Sequence, residues 1–247
     1  MMQGLYTAAT GLSNQQKRVD TIANNIANIN TTGFKKTRVD FKDALYTTMQ
    51  NPTGEQTNLQ KGSGVMIGAT TIDYSGGNIV TTENNLDFAL QGEGFFALRN
   101  AQGEEVYTRN GSFNQSADGY LVSANGDYVL DQKNNRIRFT GEGEITVSSN
   151  GIVSQGDTAI GAIKVVDFEN KNGLLPVGDS CFAVSVASGQ PENVTDYTVR
   201  QGAVEGSNVN LAQELTLLIR TQRAYTMASK ALQTADDMDG LANSIRK

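Results

Sequence analysis

Apolar side chains recur every seven residues at the N-terminal end of the chain. Two such lines, offset by three residues, run for almost four heptads, which predicts an amphipathic α-helix over residues 3–35. Gly33 follows two threonines, and we expect the helix to end there. The first line contains Leu5, Leu12, Val19 and Ile26, and the second contains Ala8, Gln15, Ile22 and Ile29.

A second amphipathic pattern occupies residues 207–247. Asn210, with Gln213 three residues later, is expected to cap this helix at its start. Because an isolated helix pair is only marginally stable in water, we expect the terminal helices to pair and to bury their remaining apolar surface against identical neighbours. The apolar stripe contains Leu211, Leu218, Tyr225 and Leu232, with Met238 beside it.

Between the helices the apolar period changes to two. Turn dipeptides such as Asn125-Gly126 and Asn150-Gly151 separate short β-prone runs at roughly ten-residue spacing. This pattern predicts an antiparallel β-domain of hairpins. The strand-like runs are Phe95–Leu98, Val106–Thr108, Tyr120–Val122, Tyr128–Leu130, Ile137–Phe139, Ile145–Val147, Ile163–Phe168, Phe182–Val186 and Tyr197–Val199.

Residues 34–64 carry weaker signals. Val39, Phe41, Leu45, Tyr46 and Met49 are compatible with two further helical turns, and residues 51–64 form a polar, glycine-containing stretch typical of a long loop. The predicted fold class is therefore α+β: the terminal helices pair as a coiled-coil-like layer, and an antiparallel all-β domain is inserted between them. The predicted divisions are an N-terminal helical arm at 1–45, a loop at 46–64, the β-domain at 65–205 and a C-terminal helical arm at 206–247.

Charge is distributed unevenly along the chain. The formal net charge is −6, but residues 1–42 carry +4, residues 207–247 carry +1, and the middle carries −11. An acidic middle argues against nucleic acid as a partner, since such binding depends on neutralising phosphates. The basic residues near the N-terminus, Lys17, Arg18, Lys35 and Lys36, are sparse, and we interpret them as a solvated helix face.

Candidate catalytic chemistry is scarce. The chain has no histidine, which removes the commonest general base and metal ligand, and its one cysteine, Cys181, is expected to be a small buried apolar residue. We therefore predict no cofactor and no metal. The polar residues inside the N-terminal pattern also argue against a membrane-spanning helix, and no cleavable signal peptide is recognisable.

Several motifs along the chain resemble those of the bacterial flagellar rod and hook proteins. The order of the motifs is the same and they cover nearly the whole chain. They are Ala23–Asn28 and Gly33–Lys35 near the N-terminus, Gly92–Phe96 and Tyr107–Phe113 in the middle, and Glu205–Asn210, Gln222–Tyr225 and Gln233–Asp236 near the C-terminus.

The resemblance implies a structural subunit, exported unfolded through the flagellar type III apparatus. Such a subunit polymerises as a helical tube that transmits torque from motor to hook in the basal body, outside the cytoplasmic membrane. Residues 45–68 are most similar to the distal rod type, and a proximal rod or hook-related subunit is the alternative. The implied partners are further copies of the chain, adjacent rod and hook proteins and the export apparatus. The candidate subunit interface consists of Leu5, Leu12, Val19, Ile22, Asn24, Asn25, Ile26, Asn28 and Ile29 in the N-terminal arm and Leu211, Leu218, Tyr225, Leu232 and Met238 in the C-terminal arm.

Other functional classes remain open from the residues alone. Two helices packed inside an ordinary monomer would give the same apolar pattern. A secreted wall hydrolase using only two carboxylates is chemically possible, although no pair stands out. A surface-adhesion module would bind its ligand as a soluble monomer.

Overall fold

The computed structural model describes residues 2–50, 56–141, 143–156 and 158–245. The chain forms two compact units by its internal contacts. The first consists of Met1–Ala27, Thr37–Asp73 and Asn210–Lys247, and the second of Asn28–Lys36 and Tyr74–Val209. Helices and antiparallel strands are both present, which confirms the α+β class with a helix at each end and a central β region.

The first unit contains the two long helices and two short antiparallel ladders. The helices pack against each other, and α1 also contacts β1 and β4. The side chain of Asn210 accepts a 3.1 Å hydrogen bond from the backbone N–H of Gln213, which confirms the predicted cap. The elements are α1 (Met2–Ala27), β1 (Thr37–Asp43), β2 (Tyr46–Gln50), β3 (Gln56–Gly62), β4 (Val65–Ile72) and α2 (Leu211–Ile245).

The first helix is shorter than its apolar pattern suggests. It ends at Ala27 rather than near Gly33. The next residues form a turn in which the Thr31 N–H donates to the Asn28 carbonyl oxygen and the Thr31 hydroxyl bonds Oδ1 of Asn28. Asparagine and threonine favour such local hydrogen bonds over continued helix, so the polar residues, and not the glycine, set the end.

The prediction of two further helical turns over residues 39–49 is wrong. Thr37–Asp43 is strand β1, which pairs antiparallel with β4 over its whole length and buries Val39. Its β-branched and aromatic residues suit a pleated surface. Part of the predicted loop is also strand, because β3 pairs with β2; residues 51–55 lie outside the described residues.

The second unit holds sixteen strands within the described residues. They are β5 (Ile79–Thr81), β6 (Phe88–Gly92), β7 (Phe95–Arg99), β8 (Glu105–Thr108), β9 (Phe113–Gln115), β10 (Leu121–Ser123), β11 (Tyr128–Val129), β12 (Ile145–Val147), β13 (Ile152–Gln155), β14 (Thr158–Ala162), β15 (Val165–Asp167), β16 (Leu175–Gly178), β17 (Cys181–Ala183), β18 (Glu192–Asn193), β19 (Tyr197–Gln201) and β20 (Ala203–Glu205). A 3₁₀ turn covers Lys171–Gly173.

The largest sheet runs in the order β16-β17-β8-β7-β11-β10-β9, and β15 joins it by pairing with both β7 and β18. A three-stranded sheet, β12-β13-β14, and two pairs, β6 with β19 and β5 with β20, complete the unit. Their inward faces share one aromatic and aliphatic core. Its members include Phe88, Phe96, Leu98, Phe113, Leu121, Val129, Ile137 and Ile163.

Most predicted strand runs coincide with observed strands, but Ile137–Phe139 does not form one. Arg136, before the run, and Arg138, within it, make isolated bridges with Leu130 and Tyr120, while Ile137 and Phe139 are buried. The alternating pattern therefore predicted the burial of Ile137 and Phe139 correctly. It carries no information on the hydrogen bonding between strands, which is interrupted there.

Candidate assembly interface

The helix pair buries one face of each helix inside the first unit. Ile22 of α1 is 4 % exposed, and Glu214 and Thr221 of α2 are fully covered. Most of the predicted heptad residues flank this contact and are half-buried. These are Leu5, Leu12, Val19 and Ile26 on α1 and Leu218, Tyr225 and Leu232 on α2.

A large apolar surface of α2 remains exposed within this chain. Leu211, Leu215 and Ile219 follow one another at four-residue spacing and are 44 %, 44 % and 53 % exposed. Further along, Met227, Met238 and Leu241 are also exposed. At 100° per residue these side chains spread over the half of the helix that does not face α1. Apolar residues therefore surround α2, which is typical of a helix that is covered on all sides.

The predicted asparagines differ in their positions. Asn24 is exposed on α1, Asn25 is buried, and Asn28 lies beyond the helix end with Ile29, both half-buried. Two predicted apolar positions, Leu211 and Met238, are exposed. The structure thus brings Ile22 and Asn25 into the chain's own interior and leaves the others at its surface or edge.

Asn25 joins the helices to strand β1. Its amide nitrogen donates a 2.8 Å hydrogen bond to the Thr37 carbonyl oxygen, and its amide oxygen accepts a 3.0 Å bond from the Thr37 N–H. The same nitrogen lies 3.3 Å from Oε2 of Glu214 on α2. One buried amide therefore satisfies both backbone groups of a strand residue and a carboxylate of the partner helix.

A buried ionic cluster lies in the second unit. Its residues belong to three of the motifs noted above, but the sequence did not indicate that their side chains pair. Nζ of Lys35 is 2.6 Å from Oε1 of Glu205, and Nη1 of Arg109 is 3.2 Å from Oε2 of the same carboxylate. Gly77 donates its N–H to Oε1 at 2.8 Å. The interpretation of Lys35 as part of a solvated face is wrong, since it is 4 % exposed. A carboxylate that binds two cations and a backbone donor can be buried without an unpaired charge.

Glycine is required at position 33, two residues before Lys35 of this cluster. Its φ of +66° is in the left-handed region, and a Cβ there would collide with the backbone nitrogen of Asn110. The Gly33 N–H donates a 2.8 Å hydrogen bond to the Glu205 carbonyl oxygen. Three motifs from the N-terminal, central and C-terminal parts of the sequence therefore meet at Glu205.

Catalytic or metal chemistry finds little support in the described part of the chain. No group of three or more potential metal ligands occurs among these residues. Cys181 is buried as predicted, and burial raises the pKa of its thiol to about 11, so the reactive thiolate is disfavoured. None of the described helices has the length and apolarity needed to cross a membrane.

Comparison with known families and proteins decides the family. Three family models match successive parts of the chain: "Flagella basal body rod protein" over residues 5–35, "Flagellar hook protein FlgE/F/G D1 domain" over 89–155, and "Flagellar basal body rod FlgEFG protein C-terminal" over 200–245. The flagellar basal-body rod protein FlgG of Borreliella burgdorferi is 39 % identical over 268 residues, with 100 % of both chains covered. The chain belongs to the flagellar basal-body rod proteins of the FlgG type.

Other FlgG proteins are similar over almost the same length. That of Agrobacterium fabrum is 38 % identical with 98 % of each chain covered, and that of Bacillus subtilis is 33 % identical with 96 % of this chain and 97 % of its own covered. Family membership confirms the resemblance read from the motifs. It also confirms a structural protein of the flagellar basal body in place of an enzyme.

Proposed function

We propose that this FlgG-type protein polymerises with copies of itself into a helical tube within the flagellar rod. The exposed apolar surface of α2 carries this proposal. Each of its large side chains would contribute about 1.5–3 kcal/mol if covered. Leu211, Leu215 and Ile219 form a continuous strip, and contiguous apolar patches on soluble proteins commonly mark interaction sites.

The roles proposed for the segments of the chain follow the divisions predicted from the sequence. The arms at 1–45 and 206–247 would make the axial contacts, with α1 and α2 paired in a coiled-coil-like layer. Residues 46–64 would form a rod-type segment and residues 65–205 the β-domain, of which residues 65–73 group with the helices in the first unit. Most residues of the candidate interface are exposed or half-buried in the single chain. Ile22 and Asn25 are buried there and would act indirectly, by fixing how the arm packs. The interface consists of Leu5, Leu12, Val19, Ile22, Asn24, Asn25, Ile26, Asn28, Ile29, Leu211, Leu218, Tyr225, Leu232 and Met238.

Export and torque transmission complete the proposal. The subunit would leave the cytoplasm through the flagellar type III apparatus, assemble next to other rod and hook proteins, and pass torque from motor to hook. The FlgG relatives reported above are named flagellar basal-body rod proteins, which supports placement in the basal-body rod.

The test is complementation of a strain that lacks the gene. The double variant Leu215→Asp/Ile219→Asp should fold normally, because both side chains already face water in the single chain. It should fail to form rods and to restore motility, since charges would be buried at every repeat of the contact. The matched control, Leu215→Met/Ile219→Leu, keeps the apolar surface and should restore motility. Normal rods in the double Asp variant would refute the proposed interface.

A different position within the rod is the second candidate. FlgF of Mesorhizobium japonicum is 35 % identical, with 97 % of this chain and 96 % of its own covered. Expression of the wild-type chain in strains lacking either FlgG or FlgF separates the two candidates. We expect rescue only of the strain that lacks FlgG.

A further inference from the structure

Two arginines and two tyrosines form a ladder on the solvent side of the large sheet in the second unit. The rings of Tyr120 and Tyr128 meet edge to face at 5.5 Å. The guanidinium of Arg138 lies 5.3 Å from the centre of the Tyr120 ring, and that of Arg136 lies 4.1 Å from the centre of the Tyr128 ring. Nε of Arg138 also donates to the Asp118 carbonyl oxygen. These four side chains are called the arginine–tyrosine ladder below.

The two guanidinium groups are exposed and are not neutralised within the described part of the chain. Neither arginine has a carboxylate within 4 Å there, whereas Arg99 and Lys164 both contact Glu105. Stacking on a tyrosine ring holds a guanidinium group in a fixed orientation while its N–H donors remain available. The ladder is therefore preorganised to bind carboxylates on another molecule.

A complementary surface lies on the same unit. A cleft of about 470 Å³ is lined by four acidic residues, Glu104, Glu105, Asp127 and Asp179, and by Val177 of the edge strand β16. Glu105 already pairs with Arg99 and Lys164, whereas the other three have no Lys or Arg partner within 4 Å among the described residues. Burial and the negative charge of Asp179 raise the pKa of Asp127, so the cleft gains from a cation brought from outside. This surface is called the acidic cleft.

We propose that the arginine–tyrosine ladder of one subunit docks into the acidic cleft of a second copy of this chain. The inference rests on the proposed polymerisation and adds a β-unit contact to it. The ladder and the cleft share no residue. A contact between two different surfaces of identical subunits is heterologous and, when it does not close into a ring, generates a helical filament.

Charge and polarity both favour a second copy as the occupant. The ladder requires an acidic partner, and the chain's own middle region is strongly acidic, at −11 over residues 43–206. The cleft is bordered by the exposed apolar side chain of Val177 on β16, which offers a surface for a tyrosine ring of the ladder. One contact would therefore bring the two arginines against three carboxylates, and none of these five groups forms an ion pair among the described residues.

The test is a charge-exchange experiment with the full-length chain in a strain that lacks the gene. Arg136→Glu/Arg138→Glu reverses the charge of the ladder. Glu104→Lys/Asp127→Lys/Asp179→Asn reverses the charge of these three cleft positions; Asn suits the positive φ of position 179. We expect each set of changes to reduce complete rods in isolated basal bodies by about tenfold, through like-charge contact. The combination of both sets should restore most of the loss, because two glutamates would then face two lysines. Arg200→Glu and Glu169→Lys, exposed charges outside both surfaces, are the controls and should assemble normally.

Each outcome bears on the proposal. Wild-type numbers of rods in the reversed-ladder variant would overturn it while leaving the helix-based polymerisation intact. Impaired assembly without rescue by the combined variant would also overturn it, and would assign the ladder to an acidic partner other than this chain. Thermal unfolding of each purified variant at the wild-type temperature shows that the losses arise in assembly and not in folding.

Discussion

The ammonium group of Lys35 lies 2.6 Å from the carboxylate of Glu205, and their side chains are only 1 % and 3 % exposed. The two residues are 170 positions apart in the sequence. Lys35 also donates to the Ser75 carbonyl oxygen at 2.7 Å. Arg109 approaches the other carboxylate oxygen. The ion pair therefore anchors the segment that follows α1 to the strand that precedes α2, inside the second unit.

Loss of the Lys35 charge should destabilise this unit strongly. Lys35→Met leaves Glu205 buried with only one cation, and breaking a buried pair costs about 3–5 kcal/mol. For a chain of this size, that is a fall in melting temperature of about 10 °C. Thermal unfolding of the purified full-length chain, followed by circular dichroism, measures it.

An exposed ion pair supplies the control for this measurement. Arg38 and Asp40 form a 3.0 Å pair whose side chains are 69 % and 43 % exposed. Exposed pairs contribute little, so Arg38→Met should leave the melting temperature nearly unchanged. Equal effects of Lys35→Met and Arg38→Met would show that the buried cluster does not stabilise the fold.

Asn25→Ala should destabilise the first unit. The substitution leaves the N–H and the carbonyl of Thr37 without their present partner and removes the amide contact to Glu214. Unsatisfied buried polar groups cost about 1–3 kcal/mol each. We expect faster hydrogen exchange at Thr37 and a lower melting temperature. Asn30→Ala, at an exposed position, is the control; exchange at Thr37 that is unchanged in Asn25→Ala would contradict the role given to this amide.

Chelators and reductants should leave the stability of the purified chain unchanged. The sequence has no histidine and a single cysteine, so it offers no internal disulfide and few soft metal ligands. Melting curves with and without a chelator, and with and without a thiol reductant, should superimpose. A chelator-dependent fall of the melting temperature would reveal a structural metal and contradict this expectation.

The sequence predicted the elements that repeat a simple period. The heptads located both helices, Asn210 marked the start of α2, and the alternation after residue 65 predicted an antiparallel β region. A smaller error is the predicted strand at Ile137–Phe139, and the larger errors lie between residues 28 and 62. There, short β-prone runs such as Thr37–Asp43 pair with distant strands, and local pattern carries no information on that pairing.

The buried polar groups were the least predictable part of the candidate site. A lysine among threonines and asparagines is usually solvated, and only the distant Glu205 makes burial of Lys35 favourable. Likewise, Asn24 and Asn25 are neighbours with the same helix propensity, yet Asn24 lies on the exposed face of the helix and Asn25 on the buried face. Such assignments depend on tertiary partners. The family motifs marked these segments as notable without indicating what the side chains contact.

The last prediction compares two isoleucines of α1, one turn apart. Ile22 is 4 % exposed, whereas Ile26 is half-buried in the single chain. Ile22→Asp places a charge in the interior of the helix pair and should lower the melting temperature of the purified chain by about 10 °C. Ile26→Asp leaves the new carboxylate partly in contact with water and should lower it by much less. Both variants should nevertheless fail to build rods or restore motility, because assembly would complete the burial of residue 26 in every subunit. Sedimentation of the purified chains and counts of complete rods, read together with the melting curves, separate the two effects. If Ile26→Asp lowered the melting temperature as much as Ile22→Asp, residue 26 would belong to the core of the monomer, and its place in the subunit interface would be wrong.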